Sequence, residues 1–205
     1  MTVSVRIPTI LRTYTNGESE VSADGGTLAE VLESLDSSYP GIKVFGEPSK
    51  WDGPTAASQL AAVLGANSDV RGVYMESSFA LAGTLQLLKQ KGLLQAPSDP
   101  KHVFIVSNDG IPEELKDIEQ GKIDATVSQP ADLYAKYGID YVKAAVGGKT
   151  FKPGPTDHGS NIIQVRPGVL EDQLPAPLVT RDGGKYGTET SVKYDDRSLW
   201  GNHLQ

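Results

Sequence analysis

Polar and apolar residues alternate at the start of the chain and then change to a helical spacing. The alternation over residues 2–7 predicts a half-buried strand. The Asn-Gly dipeptide at 16–17 predicts a turn, with a second strand over 19–22. Thr27, with Glu30 three residues later, has the spacing of a helix capping box. The buried stripe predicted for this helix is Leu28, Val31, Leu32 and Leu35.

Beyond residue 43, short apolar runs alternate with segments of helical periodicity. The predicted strands are 42–45, 70–75, 103–106, 125–127 and 162–165. The predicted helices are one that begins at 53, followed by 79–91, 112–120 and 130–146. Alternation of this kind predicts an α/β fold, with a parallel sheet covered by helices on both faces.

These patterns divide the chain into three parts. Residues 1–43 form a predicted ββα fragment, and residues 44–182 form the predicted α/β lobe. Residues 183–205 are interpreted as a C-terminal tail, because 183–194 is rich in glycine and polar residues and is typical of a loop.

Composition narrows the possible functions. The net charge is −7 and no basic patch is evident, which argues against nucleic acid as a partner. The absence of cysteine excludes disulfides, thiol catalysis and thiolate metal sites. The three histidines lack metal-ligand spacing, so we expect no metal. No apolar run suggests membrane insertion, and no signal peptide is visible, so the expected location of the chain as written is cytoplasmic.

Polar residues follow three of the predicted strands. Ser77, Asp109 and Gln129 come just after these strands, and Trp51 lies in the loop after the first strand of the lobe. Ligands of open α/β sheets bind beyond the carboxyl ends of the strands. A carboxylate, an amide and a hydroxyl beside an indole suit a sugar, whose hydroxyls need both donors and acceptors. The alternative is that these residues form turns and caps and that Trp51 is packed.

Four segments resemble the C-terminal lobe of the periplasmic sugar-binding proteins of ribose-binding type, which serve ABC importers. They are EPSKWD at 47–52, RGVY at 71–74, SNDGIP at 107–112 and DATVSQ at 124–129. The resemblance covers about residues 40–180, and DRSLWGN at 196–202 resembles the tail of some actinobacterial members. It implies one lobe of a type I periplasmic binding protein, located outside the cytoplasm.

This resemblance also implies roles for the candidate residues. The aromatic ring at Trp51 would stack on the sugar, and Ser77, Asp109 and Gln129 would hydrogen-bond its hydroxyls. Position 77 is often asparagine in that family, so Ser77 bears on the identity of the sugar. The family binds sugar between two lobes and this sequence shows one, so we expect weakened binding.

The first 43 residues resemble the start of a small ubiquitin-like sulfur carrier of the ThiS/MoaD kind, and of the cysteine-biosynthesis carrier in particular. VSVRIPTILR at 3–12 and GTLAEV at 26–31 carry this likeness, which covers the ββα half of a β-grasp fold. Such carriers act through a C-terminal Gly-Gly, whereas this sequence ends Asn202-His203-Leu204-Gln205, so we expect no sulfur transfer.

The sequence therefore predicts a monosaccharide-binding protein related to ABC sugar import. We expect no enzyme activity and no cofactor. The expected partner is a small sugar, with an ABC permease as a further candidate and a homo-oligomer left open. The alternatives are a sulfur-carrier or protein-interaction module and a chimeric chain without physiological activity.

Overall fold

The structure is a computed structural model, and it describes residues 1–7, 12, 14–41, 43–186 and 189–203. The chain forms two compact units, Met1–Pro48 and Ser49–Gln205. Each unit has its own hydrophobic cluster, and each is described by itself.

The first unit contains a two-stranded antiparallel sheet and one helix. Strand β1 (Thr2–Arg6) pairs with β2 (Glu20–Asp24), and helix α1 (Leu28–Ser38) follows. The predicted capping box is present: the Thr27 hydroxyl accepts from the Glu30 amide at 3.3 Å, and the Glu30 carboxylate accepts from the Thr27 amide at 3.2 Å. The ββα prediction is confirmed. The core consists of Ile7, Val21, Ala23 and Leu35, with Val31 and Leu32 partly buried against it. The side chain of Leu28 lies outside the described part.

The strand predicted over 42–45 is wrong for its described residues. Residues 43–49 have no regular secondary structure, and residue 42 lies outside the described part. Val44 and Phe45 are 37% and 45% exposed. A strand forms when a neighbouring strand accepts and donates its backbone hydrogen bonds, and no described strand pairs with this segment.

The second unit begins with alternating helices and strands. Their bounds are α2 (Gly53–Ala66), β3 (Gly72–Tyr74), α3 (Leu81–Gln90), β4 (Phe104–Asp109), α4 (Pro112–Glu119), β5 (Ala125–Ser128) and α5 (Ala131–Val146). A 3-10 turn, Ser78–Ala80, leads into α3. Gly92 and Gly121 follow α3 and α4 with φ of 67° and 68°, as helix-ending glycines do.

The rest of the unit consists of short strands. They are β6 (Gly154–Pro155), β7 (Asn161–Arg166), β8 (Val169–Gln173), β9 (Leu178–Thr180), β10 (Gly184–Tyr186) and β11 (Glu189–Lys193), followed by a 3-10 turn, Trp200–Asn202. The main sheet has six strands in the order β10-β11-β9-β5-β4-β3. Three of its five pairings are parallel, and β5–β9 and β10–β11 are antiparallel. The α/β class with a mostly parallel sheet is confirmed.

The core of the second unit lies where α3 and α4 pack on the main sheet. Its fully buried members include Leu88, Ile105, Leu115, Ile118 and Val179. Burying side chains of this size stabilises the fold by about 1.5–3 kcal/mol each. These buried residues hold the carboxyl ends of β3, β4 and β5 in a fixed position.

Two segments near the end of the chain differ from the arrangement predicted from the sequence. The strand predicted at 162–165 forms as β7, but it joins a separate antiparallel sheet with β6 and β8 and not the main sheet. The reason is local: a tight turn at Gly168, with φ of 75°, pairs β7 with β8 at once.

The loop predicted over 183–194 contains β10 and β11, which extend the main sheet. The Ser191 hydroxyl is buried beside that of Thr180 at 2.9 Å, and Val192 packs against the core. The polar composition did not indicate this strand, whose buried hydroxyl, that of Ser191, is hydrogen-bonded inside the sheet. No described helix is long and apolar enough to cross a membrane.

Candidate functional site

The carboxyl ends of three parallel strands lie along one edge of the main sheet. Strands β3, β4 and β5 are adjacent, and Asp109 at the end of β4 is opposite Ser128 at the end of β5. This is the edge at which open α/β sheets bind ligands. It brings the polar residues that follow these strands together.

Asp109 is fixed by three hydrogen bonds to one carboxylate oxygen. The Ser77 hydroxyl donates to Oδ2 at 2.6 Å, and the amide and hydroxyl of Ser78 donate to it at 2.8 and 2.7 Å. Asp109 has a φ of 128°, a conformation that non-glycine residues rarely adopt. Within the described ranges, Oδ1 accepts no hydrogen bond from the protein. That oxygen is therefore an oriented acceptor without a donor.

Gln129 lies beside Asp109 and is held from three directions. Its amide N–H donates to the Asp109 carbonyl at 3.0 Å, and Nε2 donates to Oδ1 of Asn108 at 2.9 Å. The Tyr134 hydroxyl donates to Gln129 Oε1 at 2.7 Å. Asn108 in turn donates to the Glu76 carbonyl at 3.2 Å. The second hydrogen of Gln129 Nε2 has no partner among the described residues, so it is an oriented donor.

Trp51 presents an open aromatic face. Its side chain is 78% exposed, and its ring lies 5.5 Å from that of Phe79, which directly follows the two serines that bind Asp109. The φ of Trp51 is 62°, which is strained for a bulky residue. Asp52 then caps α2 by accepting from the Thr55 amide at 2.8 Å, and the Thr55 hydroxyl and amide lower the pKa of Asp52. The ring is thus held at the start of a helix and left uncovered.

The backbone after Asp109 is supported by a buried carboxyl group. Glu114 Oε2 accepts from the amides of Gly110 and Ile111 at 2.6 and 3.2 Å and from the Thr126 hydroxyl at 3.1 Å. Burial raises the pKa of Glu114, although these hydrogen bonds act in the opposite direction. Gly110 has a φ of 74°, and a Cβ there would lie 2.4 Å from Ser128 Oγ. Only glycine fits this position without a shift of the neighbouring strand.

The structure places the four sequence-predicted residues as follows. Ser77 and Asp109 are in direct contact, and Gln129 is bonded to the Asp109 backbone. Trp51 packs on Phe79, the residue after Ser78, and no contact of its side chain with the other three is found among the described residues. Their role in binding sugar remains a prediction.

Several neighbouring residues were missed by sequence reasoning. These are Ser78, Asn108, Glu114, Tyr134 and Trp200. Ser78 and Asn108 are adjacent to predicted residues, and the same strand-end argument could have included them. Trp200, whose Nε1 donates to the Asp109 carbonyl at 2.8 Å, lies far along the chain and gave no local signal.

A second polar cluster lies between α5 and the small sheet. Asp172 accepts hydrogen bonds from the Tyr141 hydroxyl and His158 Nε2, each at 2.8 Å, and from the Ser160 hydroxyl. Burial raises the pKa of Asp172, but these bonds outweigh it, and the pKa is lowered. Burial and the Asp172 bond raise the pKa of Tyr141 to about 12. His158 also stacks on Tyr137, with ring centroids 3.8 Å apart, beside a cavity of about 450 Å³.

This cavity shares no lining residue with the strand-end site. Among the described residues there is no group of three or more histidine, aspartate or glutamate side chains that could hold a metal ion.

Comparison with known proteins identifies relatives of both parts of the chain. The sulfur carrier protein CysO of Mycobacterium tuberculosis is 52% identical over 42 residues, 20% of this chain and 45% of that protein. The D-allose-binding periplasmic protein of Escherichia coli is 32% identical over 93 residues, 45% of this chain and 28% of that protein.

A solved structure extends the comparison. The ABC transporter solute-binding protein of Agrobacterium vitis, bound with α-D-tagatopyranose, is 25% identical with a TM-score of 0.50. The match covers 59% of this chain and 39% of that one. This chain therefore spans less than half the length of each of these relatives.

Both resemblances inferred from the sequence are confirmed. The match to the sulfur carrier lies at the N-terminus. A sequence model of the periplasmic binding protein domain matches residues 16–150, well over half of the chain. This match agrees with the α/β sheet of the second unit, and the chain belongs to the periplasmic binding protein domain family.

Proposed function

We propose that the second unit binds a monosaccharide, as a solute-binding component related to ABC sugar import. One observation carries the proposal: a fixed acceptor, Asp109 Oδ1, and a fixed donor, Gln129 Nε2, lie at the ends of adjacent strands at one edge of the main sheet, and an uncovered indole, Trp51, packs against Phe79, the residue after Ser78. Adjacent hydroxyls of a sugar need this pairing of donor and acceptor, and the C–H face of its ring stacks on an aromatic side chain.

The names of the relatives support this choice of ligand. The Escherichia coli relative is a D-allose-binding protein, and the Agrobacterium vitis structure contains a tagatose. Because these proteins are more than twice the length of their matched parts, the sugar bound by this chain is a proposal. We assign the binding lobe to the predicted range 44–182, whose sheet is completed by β10 and β11.

We also propose that this site binds without catalysis. Glycoside hydrolysis requires two carboxyl groups about 5–9.5 Å apart on either side of the scissile bond. Asp109 has one oxygen saturated by three donors, an arrangement that suits a fixed acceptor more than a proton donor. The solute-binding relatives are not enzymes.

The affinity expected of residues 1–205 by themselves is low. These residues supply one wall of a cleft and make only part of the contacts of a two-lobed protein. We expect a Kd of about 1 mM or weaker, which corresponds to about −4 kcal/mol, unless a second chain supplies the opposite wall. An ABC permease is the proposed partner downstream of binding.

Calorimetry and ligand-observed NMR against a panel of pentoses, hexoses and inositols test the proposal. Binding should be lost in Trp51→Ala and in Asp109→Asn, which keeps the shape of the side chain and replaces the free acceptor with a donor. Ile139→Ala and Asp140→Ala are matched controls on the exposed face of α5 and should bind as the wild type does. No binding to any sugar, or equal binding by the site variants, would refute the proposal.

The alternative function is that of a sulfur carrier or interaction module in the first unit. The 52% identity to CysO favours it. It predicts a mass gain at the C-terminus after treatment with an activating enzyme, ATP and sulfide, the sulfide displacing AMP from the activated carboxylate; the sugar-binding proposal predicts no such gain. The family is periplasmic, so cell fractionation should find the protein outside the cytoplasm if it takes part in sugar import.

A further inference from the structure

The turn at Trp200–Asn202 packs directly on the backbone of the strand-end site. The indole Nε1 of Trp200 donates to the Asp109 carbonyl at 2.8 Å. Gly201 lies so close to Gly110 that a Cβ on it would be 2.3 Å from the Gly110 carbonyl oxygen. Two separate contacts thus join this late segment to the loop that carries the Asp109 carboxylate.

The turn is itself firmly anchored. Leu199, which precedes it, is 1% exposed and belongs to the main core. Asn202 Nδ2 donates to the carbonyls of Tyr194 and Asp196 at 2.9 and 2.8 Å. Because Tyr194 in turn donates its amide to Thr180 on β9, the turn is tied to the main sheet. The backbone that carries Trp200 is therefore held in place by the main sheet and the core.

The carbonyl that Trp200 contacts lies between two residues with unusual backbone angles. Asp109 and Gly110 have φ of 128° and 74°. Such angles persist only where surrounding contacts hold them, and each one costs of order 1–3 kcal/mol in a non-glycine residue. The Asp109 carbonyl accepts from both Trp200 and the Gln129 amide, so these two donors fix the peptide plane between Asp109 and Gly110. That peptide begins at the Asp109 Cα, which also carries the side chain, so holding the peptide limits how far the carboxylate can move.

We infer that Trp200 is a positioning residue for the sugar site. Its indole N–H holds the peptide after Asp109, so that Oδ2 of the carboxylate faces the two serines and Oδ1 faces the ligand. This assigns a role in ligand affinity to the C-terminal segment. The inference rests on the proposed function, because the affinity it concerns is that for sugar.

Trp200→Phe is the test, because phenylalanine keeps the aromatic bulk and removes the N–H donor. Calorimetric titration of the full chain with D-allose and D-tagatose should show binding about 10-fold weaker than that of the wild type. The ratio of the two Kd values should also change, since a reoriented acceptor meets the two sugars differently. Gly201→Ala, which pushes on the same peptide, should act in the same direction. His203→Ala is the control, since its ring contacts Asp132 and the Arg197 carbonyl and not Asp109.

Amide hydrogen exchange at Gln129 gives a readout that needs no sugar. This amide donates to the same carbonyl, so its exchange should accelerate in Trp200→Phe while the urea midpoint of the unit stays near that of the wild type. Unchanged Gln129 exchange would overturn the inference, and so would accelerated exchange with unchanged Kd values. If the wild type binds neither sugar nor any of the wider panel, the proposed function fails. Accelerated exchange would then still support the positioning of Asp109 by Trp200, and unchanged exchange would refute it.

Discussion

Replacing Asp109 tests whether its carboxylate holds the site together through its three accepted hydrogen bonds. Asp109→Ala removes the acceptor for Ser77 and Ser78. The Ser77 hydroxyl is buried and loses its partner, which costs about 2 kcal/mol. The two donors of Ser78 are half-buried and reach water, which adds about 1 kcal/mol. The expected loss in free energy of unfolding is therefore about 3 kcal/mol.

Asp109→Asn is the matched variant. The amide oxygen can still accept from the serines, and asparagine tolerates a positive φ better than most residues. A neutral acceptor in place of a charged one should lower the free energy of unfolding by only about 1 kcal/mol.

Urea unfolding followed by tryptophan fluorescence measures both variants. Both tryptophans, Trp51 and Trp200, lie in the second unit, so the signal reports that unit alone. With a slope of about 2 kcal/mol/M, the midpoint should fall by about 1.5 M in Asp109→Ala and about 0.5 M in Asp109→Asn. Equal midpoints for the two variants would show that the hydrogen bonds do not stabilise the fold as argued.

Three further predictions concern the surroundings of the site and the second polar cluster. Gly110→Ala should lower the free energy of unfolding by about 2 kcal/mol or more, because the new Cβ meets Ser128 and glycine's φ is lost; urea midpoints measure this. The pKa of Glu114 is raised in the folded protein from its ordinary value of 4.5. The stability that this carboxyl group contributes is therefore fully present below pH 4.5 and is lost as the pH rises through the pKa of the folded state. Glu114→Gln should therefore gain stability relative to the wild type between pH 5 and pH 8, and unfolding curves at both values check the sign. Hydrogen bonds to Asp172 and Asp157 raise the pKa of His158. The stability that His158 contributes is therefore present below pH 6.5 and is lost at higher pH. The contribution of Asp172, whose pKa is lowered, is present above 3.8 and is lost as pH falls. Protection factors of the β7 amides, corrected for the intrinsic pH dependence of exchange, should consequently be highest between these two values and lower on either side, and a flat profile of protection factors would contradict the assignment.

Local signals accounted for the elements that were predicted correctly. The capping box at Thr27 and the glycines after α3 and α4 act within a few residues, so they are readable without a structure. The apolar runs of β3, β4 and β5 are buried in one sheet, and their pattern follows from that burial.

The elements that were predicted wrongly depend on which strand lies beside them. Residues 43–45 have the composition of a strand but no strand beside them. Strand β11 has the opposite character: it is polar in composition, yet it forms because β9 is available for parallel pairing. Whether a strand finds a partner is set by the fold around it and leaves no periodic pattern in the segment itself.

The candidate site likewise contains residues that the sequence predicted and a residue that it did not. The rule that ligands lie at strand ends brought Ser77, Asp109 and Gln129 to one edge, because that rule depends only on strand order and direction. The contact from Trp200 spans 91 positions in the sequence. No spacing pattern connects an indole at that distance to a backbone carbonyl, so only the fold could reveal it.

The packing of the Trp200–Asn202 turn on Gly110 also has a consequence for synthesis on the ribosome. Strands β3, β4 and β5 emerge first, but the peptide after Asp109 lacks its indole donor until the segment near residue 200 has left the exit tunnel. At about 5–20 residues per second, this interval lasts several seconds. During that time the nascent unit contains β3, β4 and β5, but the peptide after Asp109 is not yet held by Trp200. The bracing of Asp109 by Trp200 is therefore acquired only after the strands that carry the site have been synthesised.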